Sequence, residues 1–163
     1  MTLQERIQAE MTAAMRAGDA PRRDTLRLLV AALYNAEKAA RRPLSDDEQL
    51  TVLAREVKLR RESIEAYERG GRPDLAAKEQ AEVTIIGEFL PRPLSDAELR
   101  RLVEEAIVQT GASGPRDMGK VMAVLAPRTR GRADGRVVSG LVTQALAAAA
   151  ERPAGGVLPG GGA

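Results

Sequence analysis

The residues best suited to chemistry lie in one basic stretch near the C-terminus. Its cations are Arg116, Lys120, Arg128, Arg130, Arg132 and Arg136, and two acids, Asp117 and Asp134, leave a local charge of +4. A guanidinium group matches phosphate oxygens because its planar fork donates two parallel hydrogen bonds. The stretch therefore has the charge that contact with a nucleic-acid backbone needs. Arginines at this density are also typical of a solvated loop, so charge alone leaves both interpretations open.

Glycines and one aspartate interrupt the same stretch. Gly119 falls at the second position of a predicted short helix, where glycine costs about 1 kcal/mol relative to alanine. Close approach of another backbone would explain it, and we favour a neighbouring helix over a ribose-phosphate. Gly131 lies within the predicted loop, and Gly135 ends it. We expect Asp134 to cap the last helix or to fix the loop, and not to act in catalysis.

The absence of cysteine and histidine from all 163 residues excludes most catalytic and metal chemistry. Disulfides, thiolate nucleophiles, imidazole bases and the usual zinc ligands are all missing. A magnesium site made only of carboxylates stays open, but no group of acidic residues stands out. We therefore predict no catalytic residue, no metal and no cofactor.

Composition favours a helical protein. Hydrophobic residues make up 44% of the chain but aromatic residues only 2%, so the core must be aliphatic, which suits helix packing. No apolar run approaches the length of a membrane span. The first residues lack the basic start and apolar run of a signal peptide. The sequence thus predicts a cytoplasmic, slightly basic, bacterial-type protein with a net charge of +2.

Helical spacing of apolar residues recurs along the chain. Ser45 and Ser95 each begin a capping box, in which a serine and a glutamate three residues later satisfy free amides at a helix start. The expected buried stripes include Ala14 and Met15 in the first helix and Leu33 and Tyr34 in the second. The basic residues in the middle of the third helix are Arg55, Lys58, Arg60 and Arg61. They could extend an RNA surface, but we favour a solvated face paired with nearby glutamates.

Prolines divide the chain. Leu90-Pro91-Arg92-Pro93 cannot continue a helix and is the best domain boundary. We predict an N-terminal helical domain over 1–92 and a small three-helix domain over 93–150. Within the second domain, Pro127 through Gly135 is predicted to be a loop, and Val137 is expected in the buried face of the last helix. Residues 151–163 are rich in glycine and proline and are predicted to form a disordered tail.

Several sequence blocks resemble one known family. The blocks are 117–122 (Asp-Met-Gly-Lys-Val-Met), 131–135 (Gly-Arg-Ala-Asp-Gly), 61–67, 71–75 and 88–91, and they occur in the family's order. Together they make the chain similar to the GatB/YqeY family, which includes stand-alone proteins and the tail of the B subunit of the tRNA-dependent amidotransferase. One departure is Ala123, where the family usually has a second glycine.

The resemblance implies an all-α fold with a long helical hairpin in the N-terminal domain and a three-helix C-terminal domain. In the amidotransferase the tail contacts tRNA while the chemistry occurs elsewhere. By similarity, the RNA-binding residues here are Lys120, Arg128, Arg130, Arg132 and Arg136. The family is also associated with carbon–nitrogen ligase activity that uses glutamine as amido donor. We do not expect that activity of this chain alone, which lacks a nucleophile paired with a base and a phosphate-binding glycine loop.

Three functions follow as hypotheses. The first is a non-catalytic tRNA-binding accessory module related to the amidotransferase. The second is a protein-interaction module that recruits an amidotransferase or aminoacyl-tRNA synthetase subunit through the helical hairpin. The third is an enzyme that takes nitrogen from glutamine with a partner's nucleophile. The family alone does not decide among them.

Overall fold

The computed structural model describes residues 1–152; the rest of the predicted tail, 153–163, lies outside the described residues. The described part holds seven α-helices and one short 3₁₀ helix, Pro115–Asp117, and no strand. The α-helices are α1 (Leu3–Ala17), α2 (Ala20–Ala40), α3 (Asp46–Arg69), α4 (Pro73–Gly87), α5 (Asp96–Thr110), α6 (Met118–Thr129) and α7 (Gly135–Glu151). The prediction of an all-α fold is confirmed. Glu151, predicted to begin the tail, is instead the last residue of α7.

The chain divides into two compact units. The first contains Met1–Pro93 together with Arg130–Arg132, and the second contains Leu94–Thr129 and the chain from Ala133 onward. None of the helices in the described part combines the length and the apolar composition that a membrane span requires.

Capping boxes set the starts of three helices. Thr2, Ser45 and Ser95 each accept a hydrogen bond from the amide three residues ahead, and the glutamate there accepts one from the cap residue's own amide. Both serine capping boxes were predicted from the sequence and are confirmed. These contacts satisfy amides that the first helical turn leaves without partners.

Glu48 has a second partner besides its cap. Its two carboxylate oxygens accept from Arg42 Nη1 at 2.8 Å and Nη2 at 2.7 Å. The bidentate bond from Arg42 first, and then the Ser45 amide, lower the pKa of Glu48 from its ordinary 4.5 to about 2. Because the folded-state pKa is lowered, the stabilisation is present above pH 4.5 and is lost as the pH falls toward 2.

We therefore expect the Glu48→Gln variant to be less stable than the wild type at neutral pH. The difference should shrink as the pH falls from about 4.5 to about 2, where the wild-type carboxylate takes up its proton. Urea unfolding midpoints across this range measure it, with Glu62→Gln, which removes another exposed carboxylate of α3, as the control. A Glu48→Gln difference that stays constant with pH would contradict the assignment.

The core of the first unit lies among α1 to α4. Its fully buried members are Ile7, Leu26, Leu29, Leu33, Leu53 and Ile86. Two predicted core residues are instead exposed: Met15 by 53% and Tyr34 by 57%. Tyr34 follows Leu33 by one position, or about 100° of helical rotation, which carries its side chain past the edge of the buried stripe.

A buried arginine joins α3 to α4. Arg60 is only 8% exposed. Its Nε lies 2.9 Å from Glu82 Oε2 on α4, and its Nη1 lies 2.7 Å from Glu56 Oε2 one helical turn earlier. The predicted pairing with a glutamate four residues away is confirmed for Arg60 by Glu56, but the prediction that Arg60 lies on a solvated face is wrong. Sequence spacing does not reveal the second partner, Glu82, because it lies on α4 and is distant in the chain.

The second unit packs α5, α6 and α7 around their own aliphatic core. The buried residues are Leu99, Leu102, Val103, Ala106, Val121, Leu125, Val138, Val142 and Leu146. The predicted loop from Pro127 is wrong in its first part, because α6 continues to Thr129 with Pro127 inside it. Val121, Leu125 and Thr129 are all buried at helical spacing, and this packing carries the helix past the proline. Val137 is 50% exposed, so the expectation that it is buried is also wrong.

Candidate nucleic-acid interface

The five predicted RNA-binding residues lie in α6, in α7 and in the segment that joins these two helices. Lys120 lies in the first turn of α6 and Arg128 in its last turn, whereas Arg136 lies in the first turn of α7. Arg130 and Arg132 lie in the intervening segment, which groups with the first unit. All but the half-buried Arg132 belong to exposed residues.

The structure does not bring these cations into one cluster. The 3₁₀ helix that precedes α6 packs against α7. A Cβ atom built on Gly114 would lie 3.8 Å from the Cβ of Ala150, so the start of α6 is beside the end of α7. Lys120 and Arg136 therefore lie at opposite ends of the second unit, separated by most of the roughly 18 Å length of α6.

The end that carries Lys120 is exposed and has three cations, Arg116, Lys120 and Arg152, against two acids, Asp117 and Glu151. The Lys120 side chain is 71% exposed, and its Nζ lies 3.9 Å from Asp117 Oδ1, beyond hydrogen-bond distance. Asp117 makes its hydrogen bond with the main chain: its Oδ2 accepts from the Ser113 amide at 2.9 Å. That bond, and then the charge of Lys120, lower the pKa of Asp117. Arg116, four residues before Lys120, is exposed and has no ion-pair partner in the described residues.

Sequence reasoning missed one cation at this end. Arg152 caps the C-terminus of α7 and is exposed, close in the chain to the contact between Ala150 and Gly114. Residue 152 had been assigned to the predicted disordered tail. The available signal that α7 continues this far is the run of alanines before Arg152. Alanine favours helix, and Ala149 and Ala150 follow Leu146 by three and four residues.

The opposite end carries Arg136. Asp134 is the N-cap of α7, and its Oδ1 accepts from the Arg136 amide at 2.7 Å. The guanidinium of Arg136 has no acidic partner among residues 1–152. Arg128 differs, because its Nη1 lies 3.2 Å from Glu105 Oε2 on α5. Since both side chains of that pair are about half exposed, the pair contributes little stability and the arginine can exchange partners.

Arg130 and Arg132 have contacts within the first unit. Arg130 Nη1 donates to Asp47 Oδ2 at 3.2 Å, and Arg132 Nε donates to the carbonyl oxygen of Arg92 at 3.0 Å. Between them, Gly131 has φ +70°, a left-handed conformation that side chains rarely adopt. This backbone requirement accounts for Gly131.

Helix packing does not account for the other glycines. A Cβ built on Gly119 or Gly135 would meet nothing within 4 Å in the described structure. The favoured explanation for Gly119, close approach of a neighbouring helix, is therefore wrong. Both glycines are exposed next to a cation, Lys120 in one case and Arg136 in the other.

Several exposed carboxylates are held in their charged form. General acids and bases work best with a pKa near neutrality, which for a carboxylate means a raised one. Every carboxylate with a resolved shift in the described chain has a lowered pKa: Glu5, Asp24, Glu48, Asp74 and Asp117. Within the same residues, no group of three or more acidic side chains is placed to hold a metal ion.

Comparison with known proteins identifies the family. Residues 4–146 match the model of the Yqey-like protein family, which covers both units and nearly all of the described chain. The chain belongs to the YqeY-like family. The match confirms the resemblance as far as YqeY; it does not itself test the link to the amidotransferase.

Curated relatives of this YqeY-like protein are fungal. "Altered inheritance of mitochondria protein 41, mitochondrial" of Pyrenophora tritici-repentis is 29% identical over 147 residues, covering 88% of this chain and 80% of that protein. The protein of the same name in Eremothecium gossypii is 33% identical over 56% of this chain and 51% of its own length. An uncharacterized protein of Schizosaccharomyces pombe is 28% identical over 94 residues, which cover 58% of this chain and 76% of that protein. These relatives do not favour the predicted bacterial source, and two of their names specify mitochondria; the cytoplasmic location stays a prediction.

Proposed function

We propose that this YqeY-like protein is a non-catalytic RNA-binding accessory module, with tRNA as the RNA, related in function to the tail of the tRNA-dependent amidotransferase. The observation that carries the proposal is the pair of exposed cations Lys120 and Arg136. Arg136 has no ion-pair partner among the described residues, and Lys120 has only a long, exposed contact of 3.9 Å with Asp117. Such cations can neutralise phosphates with little loss of existing contacts. Their separation by most of the length of α6 suits an extended polyanion better than a single small anion.

The open glycines support the same function. With no Cβ at Gly119 or Gly135, a sugar–phosphate backbone can approach the main chain closely beside each cation. Arg116, and Arg152 at the end of α7, add positive charge at the Lys120 end. Glutamine hydrolysis and ATP-dependent activation would be supplied by another protein, because this chain has neither cysteine nor histidine.

The test is tRNA affinity of neutralised variants. We expect Lys120→Gln and Arg136→Gln each to weaken tRNA binding severalfold, and each to reduce the dependence of log affinity on log salt by about one unit. Fluorescence anisotropy with labelled tRNA measures both quantities. Arg69→Gln, at the far end of α3, is the matched control and should bind as the wild type does.

Charge reversal is cleaner at Arg136, which has no acidic partner among the described residues, and at Lys120, whose contact with Asp117 is longer, than at Arg130 or Arg132. Reversal of Arg130 would place a second negative charge beside Asp47, and reversal of Arg132 would remove a bond to the main chain. Lower affinity in those variants would therefore mix lost RNA contacts with altered structure. Unchanged affinity of a Lys120→Glu, Arg136→Glu double variant would refute the proposed site.

A protein partner is the second candidate. Leu59 on α3, within the helical hairpin that would recruit the partner, is an apolar residue exposed by 46%, although single exposed apolar residues are common on protein surfaces. An amidotransferase or synthetase subunit would be the partner under this hypothesis. A pull-down from nuclease-treated lysate separates the two, because partners held through RNA are lost and partners held by direct contact remain.

A further inference from the structure

The outer face of α2 is a continuous basic stripe with an aromatic ring in it. Its members are Arg23, Arg27, Ala31, Tyr34, Lys38 and Arg41. Spacings of four, four, three and four residues keep the members from Arg23 to Lys38 on one side of a helix with 3.6 residues per turn. Arg41 follows as the C-cap residue of α2, in the left-handed conformation with φ 57°. Apart from the half-buried Arg23, all belong to exposed residues. We call this face the α2 stripe.

Most cations of the α2 stripe have no acidic partner. Arg23 is paired with Asp24 at 2.8 Å. Arg27, Lys38 and Arg41 make no ion pair with any described residue. Asp24 lies three residues before Arg27, and the hydrogen bond from Arg23 first, and then the charges of Arg23 and Arg27, lower its pKa. Glu37, next to Lys38 in the chain, is half-buried, and its Oε1 accepts from the Leu44 amide at 3.5 Å. With four cations against these two acids, the stripe keeps an excess of positive charge over about 20 Å.

Tyr34 lies among these cations with its ring accessible. It is 57% exposed, although it is one of only three aromatic residues in the chain. Lys38 Nζ lies 5.8 Å from the ring centroid, so the ring already accepts a cation. An exposed aromatic ring between unpaired cations is the combination that binds single-stranded nucleic acid, in which bases stack on rings and phosphates meet cations.

We infer that the α2 stripe binds an unpaired RNA segment, with a base stacked on Tyr34 and phosphates held by Arg27, Lys38 and Arg41. The ligand class rests on the proposed function, but the surface is in the first unit and separate from Lys120 and Arg136. Arg27 and Lys38 are about 16 Å apart along the helix axis, which is long enough for several nucleotides. The stripe would give the protein a contact with unpaired bases that phosphate contacts alone do not provide.

Intrinsic tyrosine fluorescence tests this contact directly, because the chain has two tyrosines and no tryptophan. We expect a short oligouridylate to quench the wild-type emission as it binds. Tyr34→Phe should abolish most of the quenching and keep the affinity, since phenylalanine still stacks. Tyr34→Leu should weaken binding about tenfold. Tyr67→Phe, which changes the other tyrosine, is the control and should leave both quenching and affinity unchanged.

The outcomes separate this inference from the proposed function. Binding with quenching that persists in Tyr34→Phe, or binding with no quenching at all, overturns the α2 stripe and leaves the second-unit site standing. Loss of affinity in Tyr34→Leu but not in Lys120→Gln or Arg136→Gln supports the stripe and overturns the second-unit site. No RNA binding by the wild type overturns both. Equal, Tyr34-dependent binding of polyglutamate would overturn RNA as the ligand and indicate an acidic protein.

Discussion

Replacing Arg60 with methionine is expected to lower the free energy of unfolding of the first unit by about 3 kcal/mol. The change removes the cation that lies 2.7 Å from Glu56 and 2.9 Å from Glu82. Both carboxylates are mostly buried, with side chains 22% and 17% exposed, so they would repel each other where water screens poorly. Urea unfolding followed by circular dichroism measures the loss.

Two further variants isolate the ion pairs. Arg61→Met changes the exposed neighbour of Arg60 and should alter stability by less than about 0.5 kcal/mol. Adding Glu82→Gln to Arg60→Met should recover part of the loss, because one of the two uncompensated charges is then absent. If Arg60→Met proved as stable as Arg61→Met, the bridge between α3 and α4 would have no energetic role.

Leu125→Ala is expected to destabilise the second unit by about 3 kcal/mol. Leu125 is fully buried in the core formed by α5, α6 and α7, and alanine would leave a cavity there. The loss is large for a unit this small, because little buried surface is available to offset it. Hydrogen exchange of the amides in α5, α6 and α7 reports on this unit specifically and should become faster.

The control for Leu125→Ala is Val108→Ala on α5. Val108 is 81% exposed, so its truncation creates no cavity and should leave exchange in the second unit close to the wild-type rate. Equal effects of the two variants would mean that burial of Leu125 does not determine stability. Retained protection in α6 after Leu125→Ala would contradict the prediction equally.

Local sequence signals predicted the helices well, and tertiary contacts account for the misses. The Ser45 and Ser95 capping boxes need only residues three positions apart, so the sequence alone reveals them. The sequence predicts a helix end at Pro127 because proline removes a hydrogen bond, yet α6 continues to the buried Thr129. Arg60 was placed on a solvated face because its partner Glu82 is 22 residues away.

In the candidate site, too, the sequence reveals local features and the structure reveals the contacts between distant residues. Charge counting found the basic stretch, but only the structure shows that Arg128, Arg130 and Arg132 make hydrogen bonds of their own. Lys120 has only a long contact with Asp117, and Arg136 has no ion pair among the described residues. The α2 stripe was missed because Tyr34 adjoins a buried stripe and an aromatic residue there was expected to be in the core. A strict helical projection would have placed Tyr34 with Arg27 and Lys38.

The most direct test of the central claim is the salt dependence of tRNA binding, measured by fluorescence anisotropy with labelled total tRNA at low and moderate ionic strength. The proposed function predicts binding that weakens steeply with salt, and a shallower slope for the Lys120→Glu, Arg136→Glu double variant. No binding of the wild type at low salt would contradict the claim, as would binding that neither salt nor the double variant changes.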